Sequence, residues 1–110
     1  MFKKYLSEQL GDCYQKAYRY FQKHPNFLLV HGLVHGQGKL NGVIYDHAWV
    51  EDGNTVIDMT LPKQLQKLNK KVYYALGKIK TTFKYDQDQV VKKSLEYETY
   101  GPWEDVLLKN

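Results

Sequence analysis

The chain has 110 residues, 43% of them hydrophobic, and a formal net charge of +4. This length and apolar content predict a single domain, residues 1–110, with a buried core. No stretch approaches the ~20 apolar residues of a membrane span, and the first residues lack the apolar segment of a signal peptide. The single cysteine excludes an internal disulfide, which fits a reducing compartment, so we expect a cytoplasmic protein. We expect no membrane partner.

The positive charge lies in the second half of the chain. Residues 1–58 hold six basic and six acidic side chains, so residues 59–110 carry the whole excess. From Leu61 to Tyr85 there are seven lysines and no acidic residue. This stretch is either a solvated face or a phosphate-facing surface, and it keeps nucleic acid as an alternative partner. The presence of one arginine, Arg19, favours the solvated face, because arginine is the usual base-reading residue.

The first predicted element is a helix over residues 13–24. Asp12 and Gln15 form a capping-box pattern at its start, and Pro25 follows its end. Aromatic and small residues recur there at helical spacing and are expected to form the buried face: Tyr14, Ala17, Tyr18 and Phe21.

Three strands are predicted next, over residues 27–35, 43–51 and 54–60. The Asp52-Gly53 pair favours a two-residue type I′ turn between the last two. With that turn His47 lies directly opposite Asp58, with Cβ atoms roughly 5 Å apart. Alternation then places two sets of side chains on opposite faces: Ala48, Val50, Thr55 and Ile57 on one, and Tyr45, His47, Trp49, Glu51, Val56 and Asp58 on the other.

The second half is predicted to complete the sheet and add two helices. The order of elements indicates an α+β domain with an antiparallel sheet. A short helix is predicted from Pro62 to Lys70, and a strand is predicted over residues 72–76, extending toward Phe83. The capping box of Asp86 and Gln89 predicts a helix that runs to about Tyr97 and is ended by Gly101-Pro102. Trp103 is expected to dock on the core.

Cys13 occupies the first position of the predicted helix. The exposed N–H groups and the dipole of a helix start stabilise a thiolate, and the free amide of Cys13 would be an oxyanion donor. The carboxylate of Asp12 opposes a second negative charge, and packing under the sheet is the alternative role of Cys13. Together with His47 and Asp58, however, the cysteine forms a nucleophile, a base and an orienting group.

Three segments carry a family resemblance: Gly11-Asp-Cys13, His47-Ala-Trp-Val-Glu51 and Val56-Ile-Asp58-Met-Thr60. They resemble the core of the transglutaminase-like superfamily of papain-like cysteine enzymes, although Met59 stands where that family often has proline. The resemblance spans residues 11–60, which residues 61–110 would complete as a basic C-terminal part. It implies a papain-like α+β core in which an N-terminal helix carrying the cysteine packs on an antiparallel sheet.

The same resemblance implies a Cys13–His47–Asp58 triad that acts on a peptide or amide substrate without a cofactor. Related enzymes often use an upstream glutamine as a second oxyanion donor, which makes Gln9 a candidate. Tyr14 and Trp49 are candidates for walls of the site. The acyl group could pass to water or to an amine, so hydrolase and acyltransferase both stay open.

Other classes of function remain as alternatives. One is a non-catalytic binding module on the same fold, and another is a small basic nucleic-acid-binding protein. A metal site is not predicted, because His31 and His35 are separated by roughly 13 Å in a strand.

Overall fold

The computed structural model describes residues 2–36 and 38–104, with side chains from residue 12 onward. In chain order the elements are α1 (Phe2–Lys23), β1 (Leu28–His35), β2 (Ile44–Asp52), β3 (Thr55–Ile57), β4 (Lys67–Asn69), α2 (Lys70–Leu76), β5 (Thr82–Tyr85) and α3 (Gln87–Tyr97), with single 3-10 turns at Gly38–Leu40 and Lys63–Leu65. The α+β class predicted from the sequence is confirmed. No helix in these ranges has the length and apolarity to cross a membrane.

The five strands form one antiparallel sheet in the order β4-β3-β2-β1-β5. One face packs against α1 and α3 through a cluster that includes Phe21, Val50 and Val90. The opposite face packs against α2 through Trp49 and Tyr73. Alternate residues of β2 therefore serve two cores, as the period-two pattern of the sequence predicted.

The β2–β3 hairpin differs from the prediction in its register. The observed pairs begin with Asp52 opposite Thr55, so the turn residues are Gly53 and Asn54. Gly53 has a φ of +57°, as the first central position of a type II′ turn requires. His47 therefore lies beyond the last β2–β3 pair and not directly opposite Asp58. The pairing moves by two positions, which keeps every side chain on its predicted face.

The predicted start of the first helix at Cys13 is wrong. Helix α1 begins at Phe2, and Cys13 lies in its interior. The segment before Asp12 contains good helix formers such as Lys4, Leu6 and Glu8, and Gly11 costs only about 1 kcal/mol in a helix interior. The capping-box pattern at Asp12 is thus not used as a helix start.

Residues 62–76 also differ from the prediction. The helix predicted from Pro62 to Lys70 is reduced to one 3-10 turn, followed by β4. The strand predicted over residues 72–76 is wrong, because this segment is α2. Asn69 starts that helix: its side chain accepts hydrogen bonds from the Lys71 and Val72 amides at 2.9 and 3.3 Å.

The C-terminal predictions are largely confirmed. The Asp86–Gln89 capping box is present at the start of α3. The helix ends at Tyr97, before Gly101-Pro102, because Glu98 adopts the left-handed conformation with a φ of 54°. Trp103 is buried in the core, as predicted.

Candidate active site

His47 and Asp58 form a buried hydrogen-bonded pair on the α2 face of the sheet. The distance from His47 Nε2 to Asp58 Oδ2 is 3.0 Å, and each residue is at most 3% exposed. The chain leaves the sheet just after β3, where the Asp58 amide donates to the Gln66 carbonyl at 2.8 Å. Asp58 thus reaches His47 from a loop position, and the pair predicted from the hairpin forms by a different geometry.

Asp58 is held by four hydrogen bonds. Its Oδ2 accepts from His47 and from the Tyr73 hydroxyl at 2.6 Å. Its Oδ1 accepts from the Thr60 amide at 3.0 Å and from the Thr60 hydroxyl at 2.6 Å. Burial alone would raise the pKa of Asp58, but His47, Thr60 and Tyr73 together lower it to about 2. The carboxylate is therefore ionised and fixed in orientation at neutral pH.

Cys13 reaches the same imidazole from α1 and is itself fully buried, with 0% exposure. Burial would lower the pKa of His47, but Asp58, and then contact with the Cys13 side chain, raise it to about 10. Asp58 occupies Nε2, whereas Nδ1 has no partner with hydrogen-bond geometry among the described residues. The structure thus brings the three predicted residues together around one imidazole that is protonated at neutral pH.

The position of Cys13 within α1 removes two features expected from the sequence. An amide in a helix interior donates to the carbonyl four residues earlier, so it is not a free oxyanion donor. The dipole of a helix start also falls off within the first turn and does not act on Cys13. The positive charge that would stabilise a Cys13 thiolate must therefore come from His47.

The other predicted site residues lie in different surroundings. Gln9 belongs to α1, but its side chain is outside the described residues. The Tyr14 hydroxyl donates to Asp46 at 2.6 Å, and its ring packs edge-on against His31 with centroids 4.8 Å apart. Tyr14 therefore packs with Cys13 in the core cluster between α1 and the sheet, and it does not line the cavity beside His47.

Trp49 flanks His47 on the α2 face, with ring centroids 6.1 Å apart. Its Nε1 donates to Glu51 at 3.0 Å, and Glu51 also accepts from Tyr74 and from Lys84. Gly32 makes room for the indole, since a Cβ there would lie 2.5 Å from a ring carbon of Trp49. The glutamate of the His-Ala-Trp-Val-Glu segment thus anchors the tryptophan beside the imidazole.

A cavity of about 300 Å³ lies next to the His47–Asp58 pair. Its walls are mostly apolar, and the polar residues among them are His35, Tyr45, His47, Asp58, Thr60 and Tyr73. Cys13 is not among the described residues that line it. His47 and Asp58 therefore border the cavity, whereas Cys13 lies behind them in the core cluster of α1.

Sequence reasoning gave no role to Thr60 or Tyr73, which both hold Asp58. A local signal existed for Thr60, because a threonine two residues after an aspartate often makes a side chain-to-backbone turn with it. Tyr73 had no such signal, since it approaches from α2, a segment predicted as a strand. In the described part of the chain, no three His, Cys, Asp or Glu side chains are arranged so that they could hold a metal ion.

Comparison with protein families, curated proteins and solved structures finds no match to this chain.

Proposed function

We propose that the protein catalyses cysteine-dependent acyl transfer or hydrolysis through Cys13, His47 and Asp58. The observation that carries the proposal is the single imidazole that Asp58 binds at 3.0 Å and that the Cys13 side chain contacts. A thiol, a histidine and an orienting carboxylate in this order are the parts of a cysteine-nucleophile site. The transglutaminase-like resemblance of residues 11–60 supports the same assignment.

The reaction would start from a thiolate–imidazolium pair. Because the pKa of His47 is raised to about 10, its imidazolium form prevails at neutral pH and is neutralised by Asp58. Cys13 Sγ attacks the carbonyl carbon of an amide or ester, forming a C–S bond and a tetrahedral oxyanion. The oxyanion collapses, the C–N or C–O bond breaks, and His47 gives its proton to the departing nitrogen or oxygen.

The second half regenerates the site. Neutral His47 takes a proton from water or from an amine as that nucleophile attacks the thioester carbon. The C–S bond breaks, the thiolate leaves, and the imidazolium is restored. Asp58 keeps its charge throughout and holds the imidazole in one orientation, since its other lone pairs are bound by Thr60 and Tyr73.

The test is acylation by 4-nitrophenyl acetate. The wild type is expected to release one equivalent of nitrophenolate in a burst and to gain one acetyl group on Cys13 by mass spectrometry. The burst rate should fall roughly a thousandfold or more in Cys13→Ser. Asp46→Asn is the matched control, since this carboxylate lies in the same strand but bonds Tyr14. A burst of equal size in Cys13→Ser would overturn the proposal.

The burial of Cys13 favours a second candidate function, a non-catalytic binding module. A side chain with 0% exposure reacts only when its neighbours move, so the thiol could act solely as packing beside His47. Iodoacetamide labelling separates the two. A nucleophile paired with His47 should react measurably below pH 7 and slow sharply in His47→Ala, whereas equally slow labelling of both proteins would favour the binding module.

A further inference from the structure

We propose that a depression at the end of β1 binds a small phosphate monoester with an apolar body, such as an aryl or alkyl phosphate. Its volume of about 580 Å³ is within the range of small-molecule sites. Two lysines, Lys78 and Lys80, line it together with three aliphatic side chains, those of Leu33, Ile44 and Ile79. None of the three triad residues lines it, so this site does not depend on the proposed catalytic function.

The two lysines belong to a short loop that is bound to the sheet at both ends. The loop joins α2 to β5, and two amides of β1 donate to the Gly77 and Thr81 carbonyls at 2.8 and 3.1 Å. Between these anchors the side chain of Ile79 is buried in the core on the α2 face. Lys78 and Lys80, on either side of Ile79, are exposed and line the same depression. The fold therefore holds two ammonium groups beside one site before a ligand binds.

The backbone of Lys78 has a conformation that does not favour lysine. Its φ is +48°, at the position just after the end of α2, where glycine is the usual residue. The last carbonyls of α2 need no lysine, because the amides of residues 77–79 bind those of Tyr73, Tyr74 and Ala75 at 3.0 to 3.3 Å. Capping of α2 therefore does not account for a lysine here, whereas an anion in the depression would.

The charge of Lys78 and Lys80 is not neutralised within the described part of the chain. No acidic residue is among the described residues that line the depression, and neither lysine is in an ion pair with a described residue. Lys70 and Lys84 line a different depression together with Glu51, whose Oε1 lies 4.0 and 2.9 Å from their Nζ atoms. Those two lysines already have an acidic partner, so Lys78 and Lys80 are the pair available to an anionic ligand.

The two kinds of lining group together define the ligand. Two ammonium groups favour a doubly charged phosphate over a singly charged carboxylate, because lysine binds phosphate as a point charge. The aliphatic side chains would cover an apolar body attached to that phosphate, and Ile44, which is 48% exposed, would lose contact with water. Inorganic phosphate can contact only the lysines favourably, and benzyl alcohol only the aliphatic wall. A phosphate monoester with an apolar body contacts both.

The experiment titrates isotope-labelled protein with phenyl phosphate and follows the backbone amides by NMR. We expect shifts in the loop of residues 77–81 and at the end of β1, and at least tenfold weaker binding of inorganic phosphate and of benzyl alcohol. Lys78→Asn combined with Lys80→Gln should weaken binding of phenyl phosphate at least tenfold. Asparagine tolerates the positive φ, and both side chains are exposed, so this variant should keep the wild-type fold.

Lys63→Gln combined with Lys71→Gln is the matched control. It removes the same charge from exposed side chains that do not line the depression, and it should change the affinity less than twofold. Ile44→Asn tests the apolar wall: it should reduce the preference for phenyl phosphate over inorganic phosphate severalfold and leave the affinity for inorganic phosphate unchanged.

Three results would overturn the site. Equal weakening by the two lysine pairs would show attraction to net charge alone, and so would equal binding of phenyl phosphate and inorganic phosphate. Absence of shifts in residues 77–81 at millimolar phenyl phosphate would show that no ligand binds there. A single-stranded oligonucleotide that binds more tightly, and that both lysine pairs weaken alike, would indicate a basic nucleic-acid surface instead. The acylation burst tests the proposed function separately from all of these measurements.

Discussion

Two buried histidines on opposite faces of one sheet have opposite electrostatic surroundings. His47 in β2 is 3% exposed and His31 in β1 is 1% exposed, and they lie at adjacent positions, since His31 pairs with Ala48. His47 is bound by Asp58 and contacts Cys13, and its pKa rises to about 10. Neither ring nitrogen of His31 has a hydrogen-bond partner among the described residues, and burial lowers its pKa to about 3.

Burial alone therefore does not decide the charge of a histidine. His31 is enclosed by aromatic rings of Tyr14, Tyr85 and Trp103, with centroids 4.8 to 5.1 Å away. The negative charge of Glu104 raises the pKa of His31 but does not offset the loss of water on burial. His31 is therefore a neutral core residue, whereas the carboxylate beside His47 makes the second histidine a charged one.

The largest expected effect comes from removing that carboxylate. Asp58→Asn should lower the pKa of His47 toward that of an unpaired buried histidine and reduce acylation of Cys13 roughly a hundredfold or more. NMR titration of the His47 ring and the 4-nitrophenyl acetate burst measure the two effects. An unchanged His47 titration in Asp58→Asn would contradict the assignment, and Asp46→Asn serves as the control.

The pair also predicts how stability depends on pH. The folded-state pKa of His47 is above its ordinary 6.5, so its stabilisation is complete below about pH 6.5 and is lost as the pH rises toward about 10. The pKa of Asp58 is below its ordinary 3.8, so its stabilisation is complete above that pH and is lost as the pH falls toward about 2. In Asp58→Asn, the loss of stability at high pH and the loss at low pH should both be smaller than in the wild type. Urea unfolding across this pH range measures both.

The aromatic enclosure of His31 is tested next through Gly101. This glycine has a φ of +122°, and a Cβ there would lie 2.7 Å from His31 Cε1 and 2.9 Å from Tyr14 Cδ1. Gly101→Ala should lower the free energy of unfolding by roughly 2–4 kcal/mol, from backbone strain plus overlap. Gly38→Ala is the control, with a φ of +57° but open space around it, and should cost only about 1 kcal/mol. Equal costs would contradict the close packing on His31.

His31 itself should destabilise the protein in acid. Its folded-state pKa of about 3 lies below the ordinary 6.5, so the unfolded chain binds the proton first and stability falls from about pH 6.5 downward. The loss amounts to about 2 kcal/mol at pH 5. His31→Phe should remove this loss, as measured by urea unfolding at pH 7.5 and 5. An equal acid loss in the variant would show that His31 is not buried neutral.

The smallest effect concerns Tyr73 as a positioning residue for His47. Tyr73→Phe removes one donor to Asp58 and should cost about 1–2 kcal/mol of stability and lower acylation about fivefold. The pKa of Asp58 should also move back toward its ordinary value, because the Tyr73 hydrogen bond helps to lower it. The loss of acylation is the change that a purely structural role would not produce. Tyr74→Phe is the matched control: its hydroxyl donates to Glu51, so stability should fall without a change in acylation.

Several parts of the fold and the site could be predicted from local pattern. The alternation of side chains in residues 47–57 was sufficient to predict which of them lie on each face of the sheet. The predicted β2–β3 register was wrong by two residues, and a shift of two leaves each side chain on the same face because a strand has a period of two. The capping box of Asp86 was sufficient for α3, since both hydrogen bonds lie within four residues. The contact between Asp58 and His47 could also be predicted, because one short hairpin joins the two residues.

The remaining features depended on contacts between distant segments. Val72, Tyr73 and Tyr74 have residue types that favour a strand, yet in a strand Tyr73 and Tyr74 would point to opposite faces. On α2 both hydroxyls reach the sheet, one binding Asp58 and the other Glu51, so tertiary contacts outweigh propensity. Cys13 was predicted at a helix start but lies about three turns inside α1, because nothing local marks Asp12 as an interior residue.

The sequence by itself determined which residues could form a nucleophile site, since residue type and strand period are local properties of the chain. Only the tertiary structure decided that His47 is charged and His31 neutral. The physical reason is that a buried imidazole takes its charge from the groups packed around it. Asp58, Thr60 and Tyr73 come together around His47 only after α2 folds onto the sheet.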